Sequence, residues 1–111
     1  MTQVSLIQAD SYEIKQLRQS LEKLLEPLGG IDRFVNKGDR VLLKPNLLTA
    51  SLLTKECTTR PEIVYCIAKM VQEVGGKPFL GDSPAFGSAK GVAKANGYLF
   101  GNARHLTLIR C

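Results

Sequence analysis

The alternation of short apolar runs with amphipathic helical segments limits the fold of this 111-residue chain more than any other feature. Two segments with helical spacing of apolar residues end at glycine pairs, Gly29-Gly30 and Gly75-Gly76, which is a common stop for helices. The apolar runs that resemble strands are residues 4–9, 40–43, 78–80 and 106–109. Strands that alternate with helices indicate right-handed crossovers and a mainly parallel sheet.

We therefore predict one α/β domain over residues 1–111, with the element order β-α-β-α-β-α-β. Its mainly parallel sheet has about four strands, and the helices pack on it in two or three layers. The Val-Leu-Leu run at 41–43 predicts a strand that is buried on both faces. A weaker helix is predicted at 89–96.

Both long helices have recognisable starts. Asp10 is predicted to cap the first helix, and Glu13, three residues later, completes a capping box. Thr59 and Glu62 make the same pattern for the second helix, and Pro61 is tolerated in its first turn. The apolar stripe predicted for the core side of the second helix consists of Ile63, Ile67, Met70, Val71 and Val74.

Charge and composition argue against several functional classes. The net charge is +5, but no two adjacent residues are both basic, and the chain has few aromatic residues and no Trp. Nucleic-acid binding usually needs a basic cluster with aromatic residues that stack on bases, which argues against a nucleic-acid partner. No apolar run approaches the roughly 18 residues of a membrane span, and the N-terminus lacks a signal-peptide pattern. These observations predict a cytoplasmic protein with no membrane partner.

The cysteines do not form a metal-binding or disulfide pattern. The chain has an odd number of cysteines, Cys57, Cys66 and Cys111, and no two of them have C-x-x-C spacing. This argues against a disulfide framework or a metal site within this chain. Cys66 falls in an apolar helical segment and is predicted to be buried. The single histidine, His105, has no Cys or His near it in the sequence with which to bind a metal.

Polar residues follow the predicted strands at 40–43 and 78–80. In a parallel sheet the carboxyl ends of the strands meet at one edge, where open α/β sheets bind their ligands. The start of the second helix, with Thr58, Thr59 and Arg60, faces the same edge. A helix N-terminus with Thr hydroxyls and a nearby Lys and Arg suits a phosphate or carboxylate. The candidate ligand-binding residues are Lys44, Asn46, Thr58, Thr59, Gly81, Asp82 and Ser83. The predicted partner is an anionic small molecule, and no catalytic residue is assigned.

The residues of this edge also have structural explanations. Thr59 is an ordinary helix cap, Gly81 permits a tight turn, and Asp82 is able to bond its own loop backbone. Lys44 is the hardest to explain structurally, since a lysine at the end of a buried strand needs a partner or a water-filled cleft. Asp82 is a candidate for that partner. The loop after Gly81 has the spacing of neither a Walker loop nor a dinucleotide fingerprint.

Four motifs occur along the chain in a recognisable order. They are GDRVLLKPNLL at 38–48, TTRPE at 58–62, VGG at 74–76 and GDSP at 81–84. In this order and at these spacings they resemble the family called domain of unknown function 362, over residues 1–95. The resemblance implies a longer α/β domain, of which this chain is the N-terminal portion or a fragment. It also implies, for many members, a ferredoxin-type iron–sulfur segment.

The chain departs from the family pattern in two ways. It has no cluster-binding cysteine motif, and Ala85 stands where the family usually has Gly. The resemblance therefore implies a 4Fe-4S cluster only in a segment beyond residue 111. It favours the N-terminal segment of an uncharacterised, iron–sulfur-linked enzyme with an anion-binding crevice.

Two other hypotheses stay open at this point. The first is a truncated, non-catalytic remnant or protein-interaction module, which forms homo-oligomers through an exposed sheet edge beside residues 106–109. The second is a basic module that binds nucleic acid with steep salt dependence.

Overall fold

The computed structural model describes residues 2–46, 59–82 and the strand at 107–110. Its helices and strands are α1 (Ile14–Leu25), α2 (Pro61–Glu73), β1 (Arg40–Leu43), β2 (Lys77–Asp82) and β3 (Thr107–Arg110). Two short 3-10 helices, Glu26–Leu28 and Ile31–Arg33, follow α1. The weaker helix predicted at 89–96 lies outside the described residues.

The three strands form one parallel sheet in the order β1-β2-β3. Leu43 of β1 is opposite Leu80 of β2, and Asp82 of β2 is opposite Arg110 of β3. The parallel sheet and the helices confirm the prediction of an α/β fold. The strands at 40–43, 77–82 and 107–110 lie within two residues of three predicted strands, so the described part of the chain has three of the about four strands expected.

The predicted first strand at 4–9 is wrong, because these residues are not part of the sheet. Val4 and Leu6 are 84% and 95% exposed. The segment is held instead by Gln3, whose side-chain amide donates to the carbonyl of Pro27 at 2.7 Å. An alternating apolar pattern predicts an extended backbone, but a strand also needs hydrogen bonds from a neighbouring strand, and the described residues supply none here.

Glu13, and not Asp10, caps α1. The two carboxylate oxygens of Glu13 accept the backbone N–H groups of Lys15 and Gln16, each at 3.0 Å. Because the helix begins at Ile14, Asp10 lies too early to reach these first N–H groups. The same two hydrogen bonds stabilise the carboxylate and so lower the pKa of Glu13 below its ordinary value.

The predicted stop of the first helix at a glycine pair is confirmed. After α1 the chain passes into the 3-10 helix Glu26–Leu28, and Gly29 then adopts a positive φ of 101°. Only glycine enters this left-handed region at little cost, so Gly29 ends the helical run for a backbone reason.

Helix α2 contacts both α1 and the sheet, and this position explains its burial. Cys66 and Val71 are almost completely buried and Met70 is buried beside them, so the predicted burial of Cys66 is confirmed. Burial raises the pKa of the Cys66 thiol. The predicted stripe is confirmed at Met70 and Val71, but its other members are half-buried, and Val64 and Ala68 are buried instead. A helix with partners on two sides buries more of its circumference than a single stripe.

The two glycines after α2 are needed for different reasons. Gly75 has a φ of 88°, which residues with a Cβ rarely adopt. Gly76 lies where a Cβ would be 2.7 Å from the Cγ1 atoms of both Val35 and Val71. These valines are 5% and 1% exposed, so Gly76 lets the backbone that enters β2 approach the core closely.

Burial alternates along β1. Arg40 and Leu42 are exposed, whereas Val41 and Leu43 are half-buried. The prediction that residues 41–43 are buried on both faces is therefore wrong. Among the described residues α2 packs on this sheet, and side chains that alternate along β1 place only every second residue toward that helix.

Candidate functional site

The candidate site lies at the edge of the sheet where β1 and β2 end. Leu43, the last residue of β1, is paired with Leu80, so Gly81 and Asp82 continue β2 beyond the end of β1. Lys44 follows Leu43 directly at this edge, and its side chain is exposed. The two strand ends therefore place a lysine and an aspartate at neighbouring positions along one edge.

Two hydrogen bonds join the end of β1 to the start of α2. The backbone N–H of Asn46 donates to Thr59 Oγ1 at 3.0 Å, and the backbone N–H of Thr59 donates to the carbonyl of Asn46 at 3.3 Å. The predicted capping role of Thr59 is wrong, since the N-cap residue of α2 is Arg60 and no side chain makes a capping hydrogen bond. The Thr59 hydroxyl instead accepts from the backbone of a residue far away in the sequence.

The arginine at the start of α2 has partners within the chain. The guanidinium carbon of Arg60 lies 4.4 Å from the centroid of the Tyr12 ring. Arg60 Nε is 3.3 Å from Glu62 Oε2, but these two buried atoms make no hydrogen bond, and Arg60 Nη2 donates to Glu62 Oε1 at 3.4 Å. The charge of Arg60 is thus directed to Glu62 and Tyr12 within the chain.

Five of the seven predicted site residues lie in the described part of the chain, and all five are at or next to this edge. They are Lys44, Asn46, Thr59, Gly81 and Asp82. Thr58 and Ser83 lie outside the described residues. The sequence pattern does not identify Tyr12 as a neighbour of Arg60, because no local spacing links the two residues. The same pattern interprets Glu62 only as part of a capping box.

The described residues do not fit a metal ion or an iron–sulfur cluster. Within residues 2–46 and 59–82, no group of three or more His, Cys, Asp or Glu side chains is placed to hold a metal. Cys66 is buried, and its thiol lies 3.8 Å from the carbonyl oxygen of Ile14. A cluster requires several thiolates at close range, so an iron–sulfur centre in another segment stays a prediction.

A parallel sheet with a helix packed on it defines an α/β protein, and polar residues lie at the carboxyl edge of its strands. The chain belongs to the family described as domain of unknown function (DUF362), whose sequence model matches residues 41–104. This match confirms the resemblance found in the sequence motifs. The matched range includes all of β1 except Arg40, together with α2, β2 and both hydrogen bonds between Asn46 and Thr59.

One curated relative is the "Thylakoid-associated protein sll1697" of Synechocystis sp.. The two sequences are 65% identical over 96 residues, which is 86% of this chain but only 30% of the relative. The chain therefore spans less than a third of the length of that protein. No solved structure matches the chain. In the part of the chain that the structure describes, the helices are too short or too polar to cross a membrane.

Proposed function

We propose that the carboxyl edge of the sheet binds an anionic small molecule that carries a phosphate or a carboxylate. Lys44 supplies a positive charge, the N-terminus of α2 adds its partial positive charge, and Asp82 orients Lys44. The observation that carries this proposal is the pair of hydrogen bonds between Asn46 and Thr59. These bonds hold the start of α2 against the residue two positions after Lys44, so both sources of positive charge are available to one ligand.

In this proposal the chain is the N-terminal α/β segment of an iron–sulfur-linked enzyme. The cluster would be held by a cysteine-rich segment of the longer family proteins, outside the residues described here. The anion-binding edge would then hold the charged part of the substrate, while the reaction itself depends on groups in other segments. The alternative is a non-catalytic protein-interaction module, for which a homo-oligomer stays a prediction. It is favoured by a separate observation, namely that Leu42 of β1 is 44% exposed.

The test is a titration of the protein with inorganic phosphate, followed by the backbone amide signals in NMR spectra. We expect the amides of Asn46 and Thr59 to shift with phosphate. Lys44→Ala should weaken phosphate binding about 10- to 100-fold, because a hydrogen bond to a charged group contributes about 1.5–3 kcal/mol. Lys77→Ala is the matched control, since Lys77 is also exposed but lies at the opposite end of β2.

The possible results distinguish whether the edge binds an anion from whether Lys44 takes part in that binding. Equal phosphate affinity of Lys44→Ala and Lys77→Ala would remove Lys44 from the site. Absence of phosphate-dependent shifts at the edge in the unaltered protein would reject anion binding altogether. An altered spectrum of Lys44→Ala without phosphate would assign the lysine a structural role.

The cytoplasmic location predicted from the sequence stays a prediction. The printed name of the Synechocystis relative associates that protein with thylakoids. We propose a position at a membrane surface for this chain as well, without a spanning helix in its described part. Fractionation of cells that express the tagged protein, with a salt wash of the membranes, tests this position. Recovery in the soluble fraction at all salt concentrations would contradict it.

A further inference from the structure

The register of β1 and β2 defines the sheet face that points away from α2. Arg40 is paired with Lys77, and Leu42 is paired with Phe79. Because side chains alternate between the two faces of a sheet, these four residues lie together on one face, here named the outer sheet face. Leu42 is 44% exposed, Arg40 and Lys77 are exposed, and Phe79 is half-buried.

The outer sheet face is apolar in its middle and cationic at the amino-terminal end of its strands. The guanidinium carbon of Arg40 lies 5.0 Å from the centroid of the Phe79 ring, so the cation and the apolar part form one continuous patch. Parallel sheets in α/β proteins normally have both faces covered. An exposed leucine paired with an aromatic residue in such a sheet therefore indicates a covering layer that the described residues do not supply.

We propose that the outer sheet face is covered by an amphipathic helix whose apolar stripe packs on Leu42 and Phe79. Acidic residues at one end of this helix meet Arg40 and Lys77. The helix belongs to the part of the longer family proteins that lies outside residues 1–111. The Synechocystis relative has such a part, since the matched region is only 30% of its length. This inference goes beyond the anion-binding edge and does not depend on it.

Charge argues against a second copy of this chain as the covering layer. Two outer sheet faces stacked along the strands would bring Arg40 and Lys77 against the same residues of the other copy, and like charges repel in an interface. Stacking in the opposite direction would bury these cations against Leu42 and Phe79, where they lose their hydration without gaining a partner. An acidic, amphipathic helix avoids both costs.

The experiment measures how fast a maleimide reacts with a cysteine placed on the outer sheet face. Leu42→Cys is made with Cys57→Ser and Cys111→Ser, while the buried Cys66 is kept. Its labelling rate is measured in the 111-residue chain and in a fusion in which this chain replaces the matched region of the Synechocystis relative. Lys15→Cys is the control, since Lys15 is exposed on α1, away from the sheet.

We expect Leu42→Cys to react at least 10-fold more slowly in the fusion than in the 111-residue chain, with Lys15→Cys unchanged. Adding Arg40→Glu to the fusion should restore fast labelling, because an acidic helix is then repelled. If the fusion does not fold, the separately purified remainder of the relative is added to the 111-residue chain instead. Equal labelling of Leu42→Cys in both proteins would overturn the proposal. Protection in the 111-residue chain that grows with its concentration would also overturn it, in favour of a second copy.

Discussion

Replacing Gly76 with alanine should destabilise the fold without altering the candidate site. The added Cβ would lie 2.7 Å from the Cγ1 atoms of Val35 and Val71, and 3.2 Å from the carbonyl oxygen of Val71. Ordinary contacts of a Cβ begin at 3.4 Å, so each valine methyl must move by about 0.7 Å or the backbone must shift. Both valines are buried, and a close-packed core leaves them little room to move.

Overpacking of this kind costs about 1–3 kcal/mol, and we expect about 2 kcal/mol for Gly76→Ala because two side chains and a carbonyl are in conflict at once. For a domain of this size, each kcal/mol lowers Tm by about 4–8 °C. Urea unfolding followed by circular dichroism measures the free energy of unfolding directly. The slope against urea should stay the same, since the surface exposed on unfolding is nearly unchanged.

Two comparisons separate steric conflict from other causes. Gly38 has a φ of 88°, and a Cβ added there would have no atom within 4 Å. Gly38→Ala therefore tests backbone strain alone, and we expect it to lower the free energy of unfolding by about 1 kcal/mol. Val35→Ala makes room beside Gly76. It should therefore lower the free energy of unfolding by at least about 0.5 kcal/mol less in the Gly76→Ala protein than in the unaltered protein. Strictly additive costs, or a Gly76→Ala protein as stable as the unaltered one, would refute the steric argument.

Two other outcomes concern backbone N–H groups that donate to a side-chain oxygen. Thr59→Val removes the acceptor of the Asn46 N–H and should cost about 0.5–1.5 kcal/mol and speed amide exchange at Asn46, whereas Thr59→Ser keeps the hydroxyl and should not; equal exchange in the two variants would contradict this. The lowered pKa of Glu13 means that its stabilising effect is present above the unfolded value of 4.5 and is lost as pH falls through the folded value. Glu13→Gln should therefore lower Tm at neutral pH and have little effect in strong acid, and a difference that is the same at all pH values would argue against the carboxylate as the cap.

The positions of helices and strands were largely predictable because they depend on neighbouring residues. β1 follows from a local apolar run, and the end of the first helical run follows from Gly29. The segment at 4–9 illustrates the limit of such patterns. Its alternation predicts an extended backbone, but whether it becomes a strand depends on a partner that is not encoded nearby.

The position of the candidate site at the carboxyl edge of the sheet was predictable from the sequence, but the contacts among its residues were not. Parallel topology alone brings the ends of β1 and β2 together, so Lys44 and Asp82 are found at one edge as expected. The role of Thr59 was not predictable, since a Thr before a helix has the local pattern of a cap while its hydroxyl here bonds the distant Asn46. Long-range contacts of this kind leave no trace in sequence spacing.

The hydrogen bonds between Asn46 and Thr59 also fix the position of the end of β1 relative to the start of α2. This position therefore does not depend on the residues between them. The twelve residues from 47 to 58 begin and end at points that are fixed to each other. Each doubling of the length of a connection between two fixed ends costs only about 0.6 kcal/mol of closure entropy. A longer connection at this point would therefore leave Lys44 and the start of α2 at their present spacing. The carboxyl edge of the sheet is thus fixed by contacts at its two ends and not by the length of the chain that runs between them.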